Sequence, residues 1–90
     1  MRKDDYLICY DIADKKRVAK IARYLEKKAF RIQYSIFLLK NASKEEIYAI
    51  AQDLNELIEP KEDDIRIYTV EEKGVSIGVA YDLDEIFIIR

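Results

Sequence analysis

The spacing of hydrophobic residues switches between two periods along this chain, and the order of the switches restricts the folds open to it. Tyr6-Leu7-Ile8-Cys9-Tyr10 is a short continuous apolar run that closes on a carboxylate, Asp11. Val18, Ile21, Ala22 and Leu25 then recur at the spacing of one helix face. From Phe30 to Leu38 the pattern alternates. Phe30, Ile32, Tyr34, Ile36 and Leu38 form one set, and Arg31, Gln33, Ser35 and Phe37 the other. Successive side chains of a strand point to opposite faces, so one set suits packing and the other is free for another task. Ile47, Ile50, Ala51, Leu54 and Ile58 make a second helical stripe, and Ile65 to Val70 a further strand. The last stretch, Val75 to Arg90, closes on Glu85-Ile86-Phe87-Ile88-Ile89-Arg90, which is strand-like and apolar on both faces.

The boundaries carry their own chemistry. Asp14 is placed to cap a helix running from about Lys15 to Lys28. Ser43 and Glu46 have the spacing of a capping box for the second helix, which must stop before Pro60. The segment from about Phe30 to Lys40 is long enough to bend, or to split into a hairpin near Leu38 to Asn41. The expected order is β-α-β-β-α-β, the ferredoxin-like α+β arrangement, in a single domain over residues 1–90. Its two helices pack on one face of an antiparallel sheet. They leave the other face bare, yet the first and last strands are apolar on both sides. A second copy of the chain is the simplest cover, so a homodimer packed through the sheet is expected.

Composition removes several function classes. Half of the residues are hydrophobic, which excludes disorder as the main state. No apolar run reaches the length of a membrane helix, and the charged first residues are unlike a signal peptide. A soluble cytoplasmic protein with no membrane partner is expected. The lone Cys9 supports neither a disulfide framework nor a zinc site. There is no histidine, so the commonest general base is missing and catalysis must use carboxylates, metal, lysine, tyrosine or hydroxyls. Abundant Ile, Lys, Glu and Tyr fit a thermophilic source. The net charge is −2, but its distribution is uneven. Lys15 to Arg31 holds eight basic residues against one acid, Glu26, whereas Asn41 to Glu72 holds ten acids against three basic residues. A concentrated basic stripe attracts phosphates even when the total charge is acidic.

Asp11 is the leading candidate for chemistry. A carboxylate ending a hydrophobic strand is costly unless it meets a cation, a donor or water. It either caps the loop before the first helix or holds a metal. One carboxylate is a poor magnesium site, but a dimer axis brings two. Asp11 shares strand parity with Leu7 and Cys9, so it faces a partner if they do. A metal there would polarise a phosphoryl group and lower the pKa of a water. Arg31 either holds a phosphate through its planar fork or pairs with an acid on a neighbouring strand. Ser35 either hydrogen-bonds a phosphate or is a small residue at a close interface. Phe37 either stacks on a base or packs in a dimer core. Lys16, Arg17, Lys20 and Arg23 either track a nucleic-acid backbone or form a solvated helix face.

The strand end Tyr10-Asp11-Ile12, the basic helix and the run Arg31-Ile32-Gln33-Tyr34-Ser35-Ile36-Phe37 resemble the CRISPR-associated Cas2 family over essentially the whole chain. The later Ile65-Arg66-Ile67-Tyr68 strand fits as well. The resemblance implies a ferredoxin-like homodimer in which a C-terminal strand, here Glu85 to Ile89, joins the partner's sheet. It implies a magnesium-dependent endonuclease acting on RNA or double-stranded DNA, with Asp11 as metal ligand and Asp11, Arg31, Ser35 and Phe37 as catalytic residues. Lys16, Arg17, Lys20, Arg23 and Arg31 become nucleic-acid contacts. It further implies a role in CRISPR adaptation, bridging the Cas1 integrase, with Asp82 to Arg90 a candidate contact. Two positions depart from the family pattern. Ala29-Phe30 stands where a glycine is usual, and Leu38-Leu39 where an acid is frequent. The alternatives are a dedicated ribonuclease like the virulence-associated D toxins, a non-catalytic DNA-binding adaptor, or a regulatory module binding a small ligand.

Overall fold

A computed structural model of the protein describes residues 2–70 and, as backbone, 77–82. The elements are β1 (Asp4–Asp11), α1 (Lys15–Glu26), β2 (Phe30–Gln33), β3 (Ile36–Ala42), α2 (Lys44–Leu57), β4 (Asp64–Val70) and β5 (Ile77–Asp82). They form one antiparallel sheet in the order β2-β3-β1-β4-β5, so β1 is central and is flanked by β3 and β4. This is the expected ferredoxin-like arrangement, extended by β5 pairing with β4 of its own chain. The expected strand Glu85 to Ile89 lies outside the described residues.

Both helix starts follow from their caps. Asp14 accepts a hydrogen bond from the Arg17 amide at 3.0 Å. Ser43 and Glu46 close a reciprocal capping box, each accepting from the other's backbone at 3.1 Å. Ile21 and Leu25 of α1 and Ile47, Ile50, Ala51 and Leu54 of α2 are buried in one core with Tyr6, Ile8, Tyr10, Ile65 and Ile67 of the sheet. Burying each of the isoleucine and leucine side chains contributes about 1.5–3 kcal/mol. The α1–β2 turn has no positive φ, so Ala29 is accommodated there without strain; among described non-glycine residues only Asn41 has one. Asn41 sits where the β1–β3 register slips between Asp4 and Tyr6, and its amide donates to Asp5 Oδ1 at 2.8 Å.

The segment expected as one strand from Phe30 is a hairpin, and it turns at Tyr34–Ser35, earlier than Leu38 to Asn41. The two-residue turn sets Gln33 opposite Ile36, and a register shift between Arg31 and Gln33 then restores the even spacing, so strand parity is kept beyond it. Phe30 pairs with Leu38 on the bare face and Arg31 with Phe37 on the helix face. Tyr34, expected in a strand, is therefore a turn residue and 74% exposed. Phe37 is 0% exposed and stacks on Tyr10, with ring centroids 6.2 Å apart. It lies in the core of its own chain, so neither a base nor a partner's sheet is its neighbour, contrary to both sequence readings.

On the bare face, Leu7 lies in register with Leu38 on one side and Tyr68 on the other, and Cys9 with Ile36 and Arg66. Leu7, Cys9, Ile36, Leu38 and Tyr68 are half-buried, and no described element lies over them. Burial raises the Cys9 thiol pKa, which keeps it protonated and inert. None of the described helices is long and apolar enough to cross a membrane.

Candidate nucleic-acid site at the end of β1

The pairing of β1 on both sides delivers Asp11 to the middle of one end of the sheet. It keeps the parity of Leu7 and Cys9 and is exposed, whereas Tyr6, Ile8 and Tyr10 face the helices. Its neighbour across the β1–β4 pair is Asp64, directly in register. Asp64 is held by Arg66 Nε at 3.1 Å, and Asp11 has no ion pair among the described residues.

The Tyr34–Ser35 turn meets Asp11 from the other side. Tyr10 donates its amide to the Ser35 carbonyl at 3.1 Å and its hydroxyl to the Tyr34 carbonyl at 3.2 Å. Arg31 donates Nε and Nη2 to that same Tyr34 carbonyl, at 3.2 and 2.9 Å. Three donors on one oxygen fix the turn. Burial raises the Tyr10 hydroxyl pKa, with Arg31 opposing the shift. The result is a cleft of about 190 Å³ lined by Tyr10, Asp11, Ile12, Val18, Tyr34 and Ser35. Asp11 and Ser35 thus share a cavity. Arg31 stands behind it, on the helix face, with its guanidinium 5.3 Å from the Phe37 ring centre and Nη1 3.3 Å from Glu26 Oε2. Its partner acid is therefore the last residue of α1, the single acid inside the basic block, and not one on a neighbouring strand.

The loop after Asp11 is fastened by a residue the sequence did not single out. Asp63 is buried just before β4 and accepts from the Ala13 amide at 2.9 Å and the Glu59 amide at 2.8 Å. Arg17 donates Nε to Asp63 Oδ2 at 2.7 Å and Nη2 to Oδ1 at 3.1 Å, and Nη2 also reaches Glu62 at 3.0 Å. Burial pushes the Asp63 carboxyl up, but the Arg17 and backbone donors outweigh it and hold the pKa below the usual range. Asp63 in turn raises the Arg17 pKa, and it stays charged. Of the basic residues proposed for nucleic acid, Arg17 is thus engaged inward and half-buried. Lys16, Lys20 and Arg23 are exposed, as is Lys27, and have no ion pair among the described residues. The one sequence signal for Asp63 is an acid run, Glu62-Asp63-Asp64, immediately before an apolar strand.

Comparison with known proteins bears on the family and the fold. A family model described as CRISPR associated protein Cas2 matches residues 5–76. A CRISPR-associated endoribonuclease Cas2 of Nitrosomonas europaea is 41% identical over 75 residues, covering 83% of this chain and 70% of the relative. One from Thermodesulfovibrio yellowstonii is 40% identical over 65 residues, covering 70% and 68%. Among solved structures, a hypothetical protein of Thermus thermophilus superposes with a TM-score of 0.75 at 28% identity, covering 89% of this chain and 96% of the other. Streptococcus pyogenes Cas2 superposes with a TM-score of 0.69 at 26% identity, covering 77% and 88%.

Proposed function

The chain belongs to the CRISPR-associated Cas2 family, and from that premise we propose that it works in CRISPR adaptation as a homodimeric, divalent-metal-dependent endonuclease centred on Asp11. The carrying observation is the exposed Asp11 carboxylate, which shares a cleft with Ser35 at the end of β1 and keeps the strand parity of the apolar, uncovered sheet face. A dimer closed through that side buries the row of Leu7, Leu38 and Tyr68 and brings a second Asp11 toward the first. RNA is the first substrate to test, because the relatives named above are endoribonucleases by name. Double-stranded DNA is the second. The cytoplasm is the proposed place of action, with the Cas1 integrase as partner.

The donor set fits magnesium in one respect and needs the second copy in another. Among the described residues of one chain, no three His, Cys, Asp or Glu residues group closely enough to hold an ion. Magnesium keeps several waters and takes one or two carboxylates plus phosphate oxygens, so an Asp11 pair suffices. When bound, the cation supplies Lewis acidity to a phosphoryl oxygen and makes a water more acidic.

The remaining roles belong to the chain itself. The Ser35 hydroxyl is available to donate to a phosphate oxygen lying in the cleft. Arg31 holds the turn that carries Ser35 and offers its partly exposed guanidinium to the same phosphate. Phe37 acts from beneath, as a floor for Arg31 and Tyr10. Lys16, Lys20 and Arg23 attract the nucleic-acid backbone without reading its sequence.

The test is cleavage of labelled single-stranded RNA and double-stranded DNA with magnesium or EDTA, wild type against Asp11→Asn. Loss of a magnesium-dependent activity in the variant supports the proposal and identifies the substrate. No cleavage by wild type, or equal cleavage by both proteins, leaves the second reading, an adaptor that binds DNA without cutting it. The observation favouring that reading is the single carboxylate each chain contributes without Asp64.

A further inference from the structure

We propose that Asp63 and Arg17 are a positioning pair that sets the Asp11 strand end, and that Arg17 serves the site through Asp63 instead of through a phosphate. The inference rests on the reading that Asp11 is the working carboxylate. It begins from an acid side chain with 0% exposure that accepts four N–H groups, two on each oxygen. A carboxylate has about four acceptor sites, so Asp63 is saturated and has nothing left for an outside ligand.

The four donors come from three places that bracket the site. Ala13 lies in the loop between Asp11 and α1, Arg17 in the first turn of α1, and Glu59 in the loop after α2. Asp63 itself immediately precedes Asp64, the residue in register with Asp11. One carboxylate therefore fixes the chain two residues after Asp11 and one residue before its cross-strand neighbour. Arg17 reinforces the same loop a second way, because its amide donates to the Asp14 cap. The planar fork is essential to the arrangement: Nε takes one carboxylate oxygen and Nη2 the other. A lysine would keep the charge but could not span both.

A phosphate-contact role makes the opposite demands. There the charge matters more than the fork, lysine is a fair substitute, and Asp63 only competes with the ligand.

The experiment uses the full chain as wild type, Arg17→Lys, Arg17→Ala, Asp63→Asn and the Arg17→Ala/Asp63→Asn double variant. Three quantities are read: cleavage kcat and KM, the salt dependence of RNA binding, and amide hydrogen exchange at Ala13 with core amides such as Ile8 as internal reference. Positioning predicts that Arg17→Lys and Asp63→Asn each lower kcat by about ten- to a hundred-fold, with KM and the salt slope unchanged. The double variant should be no worse than the singles. Ala13 should exchange faster in each while Ile8 stays protected. The proposal is overturned if Arg17→Ala flattens the log–log salt slope by about one while Arg17→Lys restores binding. It is equally overturned if Asp63→Asn cleaves like wild type. If wild type cuts nothing, the nuclease reading has failed, and Ala13 exchange decides alone: unaltered exchange in Arg17→Lys refutes the pair. Should Asp63→Asn not fold, Arg17→Lys carries the same comparison.

Discussion

Asp11 and Asp64 stand directly opposite each other across the β1–β4 pair. Like charges in that relation destabilise a sheet by about 0.2–1 kcal/mol. Of the two acids it is Asp64 that Arg66 holds, through Nε at 3.1 Å, and nothing described pairs with Asp11. In EDTA, Asp64→Asn should therefore stabilise the fold by about 0.2–1 kcal/mol. Magnesium should narrow the difference by stabilising the wild type. Urea melts with and without the ion measure both. A destabilised variant in EDTA would mean that the Arg66 contact outweighs the repulsion.

Leu7 has Leu38 on one side and Tyr68 on the other, forming an apolar row on the uncovered sheet face. Removing one leucine's burial costs about 1.5–3 kcal/mol, and a symmetric dimer loses it twice. Leu7→Asp should raise the dimer Kd by roughly two to four orders of magnitude. Sedimentation velocity over a dilution series tests this, and a wild-type protein that stays monomeric at every concentration would refute the dimer.

The local parts of the fold were legible because their causes are local. Asp14, and Ser43 with Glu46, mark helix starts through side chains that reach only their own first turn. The stripes of α1 and α2 were readable for the same reason. The Tyr34–Ser35 turn was not, since it contains no glycine, asparagine or proline and the alternation runs through it unbroken. It is held by the Tyr10 hydroxyl, 24 residues away in sequence, together with the local Arg31 fork, a side-chain bond that no turn-residue pattern signals, both on the Tyr34 carbonyl. Phe37 was misjudged as a direct consequence, because parity alone does not say which face a helix covers. At the site, Asp11 announced itself as a carboxylate closing an apolar strand. Asp63 did not, because its burial depends on Arg17, 46 residues away in sequence. Asp64 became a neighbour of Asp11 only once the β1–β4 register was known.

The depressed Asp63 pKa gives a pH dependence of definite sign. Its folded pKa lies below its unfolded value, so its contribution is complete above the ordinary carboxylate pKa of about 3.9. It is lost as pH falls through the folded pKa, when the unfolded state binds the proton first. Glu46, lowered by its hydrogen bonds with Ser43, acts in the same direction. Wild-type stability should therefore be flat near neutral pH and fall below about pH 4. Removing a buried paired charge costs about 3–5 kcal/mol, so Asp63→Ala should be less stable at pH 7 and lose less on acidification. Equilibrium melts from neutral pH downward check the sign. Equal acid sensitivity in the two proteins would exclude Asp63 as a source of it.

Lys16, Lys20 and Arg23 occupy exposed positions of α1 without described ion pairs, whereas Arg17 beside them is committed to Asp63. This separates two kinds of basic residue within one helix. Each phosphate neutralised by a mobile cation adds about 0.9 to the magnitude of the log–log salt slope on duplex DNA. Neutralising Lys16, Lys20 and Arg23 to alanine together should flatten that slope by up to about three and weaken binding to every sequence alike. It should leave the fold intact, because none of the three is buried. Fluorescence anisotropy of labelled duplexes between about 50 and 200 mM salt reads the slope, and two unrelated sequences read the uniformity. An unchanged slope would move the nucleic acid off the helix layer, toward the Asp11 cleft and its flanking turn.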